Sequence, residues 1–227
     1  SPSEATKVGK NVLLSAAITG AVDLPSGTIT FKHGSTIIGS DVAITETGGV
    51  YSAFATWGSI PYGSYNLTAV YNEADNDNYN AIAGGSITGY SVTKYVQSNF
   101  SIADGSSYDI TDGTISKTYG DAPFSLEVSG RLSTGALIYT SSDTAVASVN
   151  PSGTVTLHKS GIVTLAAVSF ADDVYNSATA TVVLKVSKAD QSSFSIADGS
   201  TYDIAEDAIS KTYGDTPFTL EVSGRLS

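Results

Sequence analysis

This 227-residue chain contains two histidines, His33 and His158, whose side chains could do catalytic chemistry. A serine hydrolase would need His33 or His158 as a base, held between a positioned serine and an orienting acid. The sequence has no Gly-x-Ser-x-Gly elbow to present such a serine, and both histidines fall in or beside predicted turns. We therefore expect both to be surface turn residues and the chain not to be an enzyme.

Acidic loops offer a second kind of chemistry. Asp75 and Asp77 alternate with asparagines, and Asp172 and Asp173 occupy a comparable loop further along the chain. Closely spaced hard oxygen ligands suit calcium, although the EF-hand spacing is absent. Asp and Asn also dominate ordinary turns, because their side chains bond to nearby backbone groups. Both interpretations stay open: turn residues that need no cofactor, or a calcium site at these four aspartates.

Aromatic residues offer a third kind of site. Trp57 is the only tryptophan, and Tyr62 follows it closely. Exposed together, they would form a platform on which a sugar ring stacks. Sandwich cores also need aromatic bulk, because such side chains dominate core burial. Trp57 and Tyr62 are therefore candidates either for ligand binding or for core and corner packing.

Charge and composition exclude several classes of partner. The formal net charge is −11, which argues against nucleic acid, because phosphate neutralisation needs a basic face. It also argues against docking on anionic lipid. No apolar stretch approaches the twenty or so residues of a membrane helix, so we expect no membrane insertion in this segment. Without cysteine, the chain has no disulfide framework and must be stabilised by packed apolar cores.

The elements that must position these residues are short strands. Apolar or β-branched residues alternate with polar ones over stretches of four to nine residues, and turn signals separate them. Tyr65 follows a corner that contains glycine, where a tyrosine-corner residue would stand. The predicted strands are Val12–Thr19, Thr28–Lys32, Thr36–Ile44, Gly49–Thr56, Ser64–Tyr71, Ser86–Lys94, Thr154–Leu157, Ile162–Phe170 and Thr179–Val186.

A long internal repeat sets the domain organisation. Residues 97–133 reappear without a gap as residues 191–227, and 29 of the 37 paired positions are identical. A period of 94 residues is too long for a solenoid unit and suits a whole small domain. We predict one sandwich over residues 1–94, a second over 95–188, and the first strands of a third, incomplete repeat over 189–227. That last segment is either a truncation or pairs with another chain.

Several segments resemble bacterial Ig-like domains. In residues 1–94 they are Gly27–Gly34, Gly63–Tyr71 and Asn78–Tyr79; in residues 95–190 they are Tyr139–Asp143, Val146–Val149, Gly153–Thr156 and Gly161–Ala167. The later set is similar to the group 2 type found in intimin- and invasin-type adhesins.

The resemblance implies a fold, a location and a function. The fold is all-β, with tandem immunoglobulin-like antiparallel β-sandwiches, and the location is extracellular or at the bacterial cell surface. The function is that of a non-catalytic spacer, or stalk, in an adhesin-like protein. The alternative is a module that binds a carbohydrate or a host protein. The expected partners are neighbouring Ig-like repeats of the same chain and an unidentified glycan or protein ligand of the parent protein.

Overall fold

The computed structural model describes residues 5–74, 78–190, 195–199, 202–205 and 208–223. Within these ranges every regular element is a β-strand, which confirms the all-β prediction. The described residues include no helix of the length and apolar character that a membrane crossing requires.

Eight strands within residues 5–93 form a two-sheet sandwich. A five-stranded sheet has the order β1-β8-β7-β3-β4, and a three-stranded sheet has the order β2-β6-β5. The strands are β1 (Thr6–Lys7), β2 (Val12–Ile18), β3 (Thr28–His33), β4 (Thr36–Ala43), β5 (Thr45–Thr47), β6 (Val50–Trp57), β7 (Gly63–Asn72) and β8 (Ile82–Thr93).

The core of this sandwich follows from the alternation of side chains along each strand. In β6, Ala53 and Ala55 are buried, whereas Phe54 and Thr56 between and beyond them are exposed. The buried cluster draws on both sheets, and its members are Ile29, Phe31, Ile44, Ala53, Ala55 and Tyr71.

Ten further strands lie between residues 101 and 187. They form a five-stranded sheet of order β10-β11-β18-β17-β14, a three-stranded sheet of order β12-β16-β15 and the pair β13-β9. The strands are β9 (Ser101–Ala103), β10 (Ile110–Thr111), β11 (Thr114–Thr118), β12 (Phe124–Ser125), β13 (Glu127–Ser129), β14 (Leu137–Ser141), β15 (Ala147–Val149), β16 (Thr154–Leu157), β17 (Gly161–Ser169) and β18 (Ala178–Ser187).

The described residues of the partial repeat reproduce two strand pairs of the earlier copy. Its strands are β19 (Ser195–Ala197), β20 (Ile204–Ala205), β21 (Ala208–Ile209) and β22 (Glu221–Ser223). The pair β19–β22 has the register of β9–β13, displaced by 94 residues. The hairpin β20–β21 likewise matches the register of β10–β11.

The described residues form two compact units. One takes its residues from Ser1–Ala103, Glu127–Tyr139 and Ala166–Thr181, and the other from Asp104–Leu126, Thr140–Leu165 and Val182–Ser227. The first unit contains the sandwich of β1 to β8. The domain boundaries predicted after residues 94 and 188 stay a prediction.

Candidate functional site

Three aromatic side chains pack together at one end of the first sandwich. The Trp57 and His33 rings stack with centroids 4.8 Å apart and planes 19° apart. Tyr65 meets Trp57 edge-on, also at 4.8 Å. The expectation that His33 is a surface turn residue is wrong: His33 is the last residue of β3 and is half-buried. The stacked indole ring accounts for that burial, and the turn begins one residue later.

Tyr65 forms the predicted tyrosine corner. Its hydroxyl group donates a hydrogen bond of 2.9 Å to the backbone carbonyl of Pro61, four residues upstream. This contact confirms the prediction and fixes the chain that enters β7. The cluster of Trp57, His33 and Tyr65 therefore includes a structural corner.

Trp57 and Tyr62 have different surroundings in the structure. Trp57 is half-buried against His33 and Tyr65, whereas Tyr62 is 59% exposed. The Lys94 ammonium group lies over the Tyr62 ring, 4.8 Å from its centroid. Ligand binding by Trp57 and Tyr62 stays a prediction.

Asp172 organises the loop in which it lies. Its Oδ1 accepts hydrogen bonds from the backbone N–H groups of Val174 and Tyr175, at 2.8 and 2.7 Å. Its Oδ2 accepts from the backbone N–H and the hydroxyl group of Thr134, at 2.7 and 3.1 Å. The backbone carbonyl of Asp172 accepts a further bond, of 2.5 Å, from the Lys94 ammonium group. The carboxylate thus joins two loops that are distant in sequence.

These bonds to Asp172 predict a pH-dependent effect of substitution. The backbone N–H groups of Thr134 and Tyr175 stabilise the charged form and hold the pKa of Asp172 well below its usual range. Because the folded-state pKa is depressed, the stabilisation is fully present above the unfolded value of about 3.9 and is lost as the pH falls below it. We expect Asp172→Asn to lower the melting temperature at pH 7. The difference in melting temperature between the variant and wild type should shrink steadily as the pH is lowered below about 4.

Asp173→Asn is the matched control, because Asp173 is exposed in the same loop. It should leave the melting temperature unchanged across the same pH series. A deficit for Asp172→Asn that stays constant down to strongly acidic pH would contradict the assigned role.

In the part of the chain that the structure describes, no cluster of metal-ligating side chains supports the calcium prediction. No group of three or more His, Asp or Glu side chains there is arranged to hold a metal ion. Asp75 and Asp77 lie outside the described residues. Both oxygens of Asp172 already accept two hydrogen bonds each. Calcium binding at Asp172 and Asp173 stays a prediction.

Gln97 is a buried polar residue that sequence reasoning missed. Its Oε1 accepts hydrogen bonds from the backbone N–H groups of Leu132 and Ser133, at 2.9 and 3.0 Å, and from the Ser169 hydroxyl group at 3.3 Å. Its Nε2 donates to the carbonyl of Asn176 at 2.8 Å. Only the identity of Gln97 and Gln191 within the repeat could have drawn attention to it.

His158 contacts a serine, but the pair lacks the third member of a catalytic triad. Its Nε2 lies 2.7 Å from the Ser148 hydroxyl oxygen, and the ring is exposed. No carboxylate of the described residues bonds to the other ring nitrogen. The backbone N–H of His158 donates to the carbonyl of Val146, which places the histidine in the turn after β16, as predicted. The Ser148–His158 bond thus ties neighbouring strands on the surface.

A cleft of about 830 Å³ opens between β2 and β8. The lining residues are apolar or carry hydroxyl groups, and none of them is Asp, Glu, His, Lys or Arg. The Tyr90 hydroxyl group at its wall is engaged with the hydroxyl group of Thr6, 2.5 Å away. The cleft therefore offers no carboxylate, imidazole or amine for acid–base chemistry.

Comparison with known proteins identifies a related family for the first sandwich. Residues 1–93 match the family model of the bacterial Ig-like domain (group 3). The resemblance of residues 95–190 to the group 2 type stays a prediction. No curated protein matches the chain.

Several solved structures match part of the chain at low identity and low TM-score. The fibronectin(III)-like modules of Clostridium thermocellum CbhA are 15% identical, over 82% of this chain and 90% of theirs, with a TM-score of 0.29. The mouse nectin-like molecule 4 ectodomain is 12% identical over 82% of this chain, with a TM-score of 0.32, and the chain spans 62% of its length. Titin domains A168–A170 are 16% identical, over 86% of this chain and 64% of theirs, with a TM-score of 0.33.

The observed strands and the family match together confirm the predicted fold class. The chain is all-β and consists of tandem immunoglobulin-like antiparallel β-sandwiches.

Proposed function

We propose that this chain is a non-catalytic spacer in a bacterial cell-surface or secreted protein, and that it holds its shape under tension. The observation that carries the proposal is the pairing of the last strand in each sandwich. In both cases that strand lies parallel to a strand from the beginning of the same sandwich.

Parallel pairing of early and late strands resists a pull on the chain ends. In the second sandwich, β11 pairs with β18 over five residues, from Thr114 opposite Val183 to Thr118 opposite Ser187. Tension drags two such strands in opposite directions along their length. Because the inter-strand hydrogen bonds run across that direction, they must break together and not one after another. This arrangement therefore acts as a shear clamp.

The two sandwiches differ in the length of this clamp. In the first, β1 pairs with β8 through only two residues, Thr6 opposite Val92 and Lys7 opposite Thr93. One backbone hydrogen bond, from the N–H of Val8 to the carbonyl of Thr93 at 3.0 Å, extends it. We therefore expect the first sandwich to unfold at a lower force than the second.

The segment that follows β8 is also held in place. The backbone N–H of Tyr95 donates to the carbonyl of Val174 at 2.9 Å, and the N–H of Asn176 donates to the carbonyl of Tyr95 at 2.8 Å. The Tyr95 and Tyr175 rings lie 6.0 Å apart. These contacts leave little free chain directly after β8, which suits a spacer better than a flexible tether.

Composition and family support the proposed location. Bacterial Ig-like domains commonly occur in extracellular or surface proteins, and residues 1–93 match such a domain. The net charge of −11 resists self-association of neighbouring molecules. On this proposal, the partners of the chain are neighbouring Ig-like repeats, and any glycan or protein ligand belongs to the parent protein.

Pulling single molecules by their two ends tests the clamp through one backbone hydrogen bond. The N–H of Tyr119 donates to the carbonyl of Ser187 at 2.8 Å, and Tyr119→Pro removes that donor. We expect two unfolding steps that each release on the order of 30 nm of chain. Tyr119→Pro should lower the force of the stronger step and leave the weaker step unchanged.

Tyr213→Pro is the matched control, because the repeat places the same residue in the same turn. Thr118 and Thr212 donate their backbone N–H groups to Asp121 and Asp215, respectively, each at 2.8 Å. Tyr213 is fully exposed, so its substitution should leave both steps unchanged. Equal forces for wild type and Tyr119→Pro would overturn the clamp.

A further inference from the structure

Three aspartates of this chain are followed directly by glycine, a pairing that is chemically labile. They are Asp104, Asp112 and Asp198. Because glycine has no Cβ atom, its backbone nitrogen can approach the carboxyl group of the preceding side chain closely. The nitrogen and the carboxyl group can close a ring only when other partners do not hold them apart. The fold therefore decides which of the three pairs reacts.

The Asp104–Gly105 pair is held on both sides by hydrogen bonds. Asp104 Oδ1 accepts from the backbone N–H of Ile110 at 2.6 Å, and the N–H of Gly105 donates to the carbonyl of Tyr108 at 3.0 Å. The Tyr108 ring also packs against Gly105 so closely that a Cβ atom there would collide with it. The Gly105 nitrogen thus reaches the Asp104 carboxyl group only if this loop opens.

The Asp198–Gly199 pair repeats this arrangement in the later copy. Asp198 Oδ1 accepts from the backbone N–H of Ile204 at 2.7 Å, and the N–H of Gly199 donates to the carbonyl of Tyr202 at 3.0 Å. The Tyr202 ring packs on Gly199 in the same way. We therefore expect the fold to protect this pair as well.

The Asp112–Gly113 pair lies in a different environment. The two residues form the loop of the β10–β11 hairpin, with φ of +49° and +73°, as in a type I′ turn. The hairpin ladder ends at Thr111 opposite Thr114, so the N–H of Gly113 lies outside it. Both loop residues are exposed, and a Cβ atom at Gly113 would meet nothing within 4 Å. The Asp112 side chain can therefore rotate toward the Gly113 nitrogen in solvent.

We propose that Asp112 is a site of spontaneous isoaspartate formation. The Gly113 nitrogen attacks Cγ of the protonated Asp112 carboxyl group. The amide proton and the carboxyl hydroxyl group leave as water, which closes a succinimide ring. Water then adds to the main-chain carbonyl carbon of Asp112, and the bond between that carbon and the Gly113 nitrogen breaks. The chain now runs through Cβ and Cγ of Asp112, and the former main-chain carbonyl carbon becomes a free carboxyl group.

The rearrangement acts on the beginning of β11. The carbonyl of Gly113 accepts a hydrogen bond of 3.1 Å from the N–H of Val183, next to the point where Thr114 pairs with Val183. Isoaspartate adds one main-chain atom to a loop whose ends are fixed by the pairing of Thr111 with Thr114. The Gly113 carbonyl must then move, and the N–H of Val183 loses its acceptor.

Incubation of the folded chain at pH 7, followed by tryptic digestion and electron-transfer fragmentation, locates the isoaspartate. The tryptic peptide from Tyr95 to Lys117 carries both Asp104 and Asp112, so the two sites are compared within one peptide. We expect conversion to be at least about tenfold slower at Asp104 and Asp198 than at Asp112, because two hydrogen bonds must open there before the ring can close. In guanidinium chloride, which removes the fold, all three sites should convert at similar rates.

Asp112→Glu is the matched variant. A glutamate would have to close a larger, less favourable ring, and the repeat itself has Glu206 at the equivalent position. The variant should form no isoaspartate at residue 112. In wild type, hydrogen exchange of the Val183 amide should become faster as the converted fraction grows, whereas in Asp112→Glu it should stay constant over the same incubation.

Two results would overturn the assignment of the site. One is equal conversion at Asp104 and Asp112 in the folded chain. The other is absence of isoaspartate at Asp112 in the folded chain under conditions in which the unfolded chain forms it. Unchanged exchange of the Val183 amide in fully converted chain would overturn the effect on β11.

Discussion

Replacing Gln97 by alanine is expected to lower the free energy of unfolding by about 3–5 kcal/mol, because several buried polar groups lose their partner at once. Gln97 is 5% exposed, Ser133 is 4% exposed and Ser169 is fully buried. Without the Gln97 side chain, the N–H of Ser133 and the hydroxyl group of Ser169 lose the acceptor that Oε1 provides. Each buried group left unsatisfied costs about 1–3 kcal/mol.

Gln97→Glu separates the two halves of this network. The substitution keeps an acceptor for Ser133 and Ser169 but replaces the Nε2 donor with an oxygen that faces the carbonyl of Asn176. At pH 7 we expect a loss of stability in urea denaturation at least as large as that of Gln97→Ala, because a buried carboxylate then faces a carbonyl oxygen. Ser98→Ala is the control, since Ser98 is exposed and adjacent. A loss below about 1 kcal/mol for Gln97→Ala would show that these bonds do not stabilise the fold.

Gly130→Ala is expected to cost about 2–5 kcal/mol through two effects that act together. Gly130 has a φ of +67°, which L-residues other than glycine adopt only at a cost. A Cβ atom at this position would also collide with the backbone carbonyl of Asn99. Backbone cannot swing aside as a flexible side chain would, so the whole turn after β13 must shift.

Gly113→Ala isolates the conformational part of that cost. Gly113 has a similar φ of +73°, but a Cβ atom there meets nothing within 4 Å. We expect Gly113→Ala to cost only about 1–2 kcal/mol. Urea denaturation of the two variants measures the difference. Equal losses would contradict the steric contribution at Gly130.

The sequence predicts strands well where the information is local. The alternation in Thr154–Leu157 predicts β16 with its observed bounds, and the glycine corner before Tyr65 predicts the hydrogen bond to Pro61. Both features depend on residues within a few positions of one another. The period of two is sufficient to place them.

The remaining features depend on residues that are far apart in sequence. The partners of Gln97 lie 35 to 79 residues away, so no local pattern marks it as a buried network residue. The same reason hides the stacking of His33 on Trp57, which turns a predicted surface residue into a half-buried one. For Asp172, the composition left two interpretations open, a turn residue or a calcium ligand. Only the positions of the surrounding N–H groups show how the loop is held.

The direction dependence of unfolding tests the spacer proposal most directly. The chain contains no cysteine, so introduced cysteines are unique attachment points. The pair Thr111→Cys and Lys188→Cys loads β11 and β18 in shear. The pair Ala122→Cys and Lys188→Cys loads the same two strands from one end and peels them apart. All three positions are exposed.

The spacer proposal predicts that the shear pair unfolds at a force several times that of the peeling pair at the same loading rate, because shear must break all the bonds between β11 and β18 together. Both variants should show the same stability in urea, which excludes a simple loss of fold. Equal forces in the two directions, or a higher force for the peeling pair, would contradict the proposal.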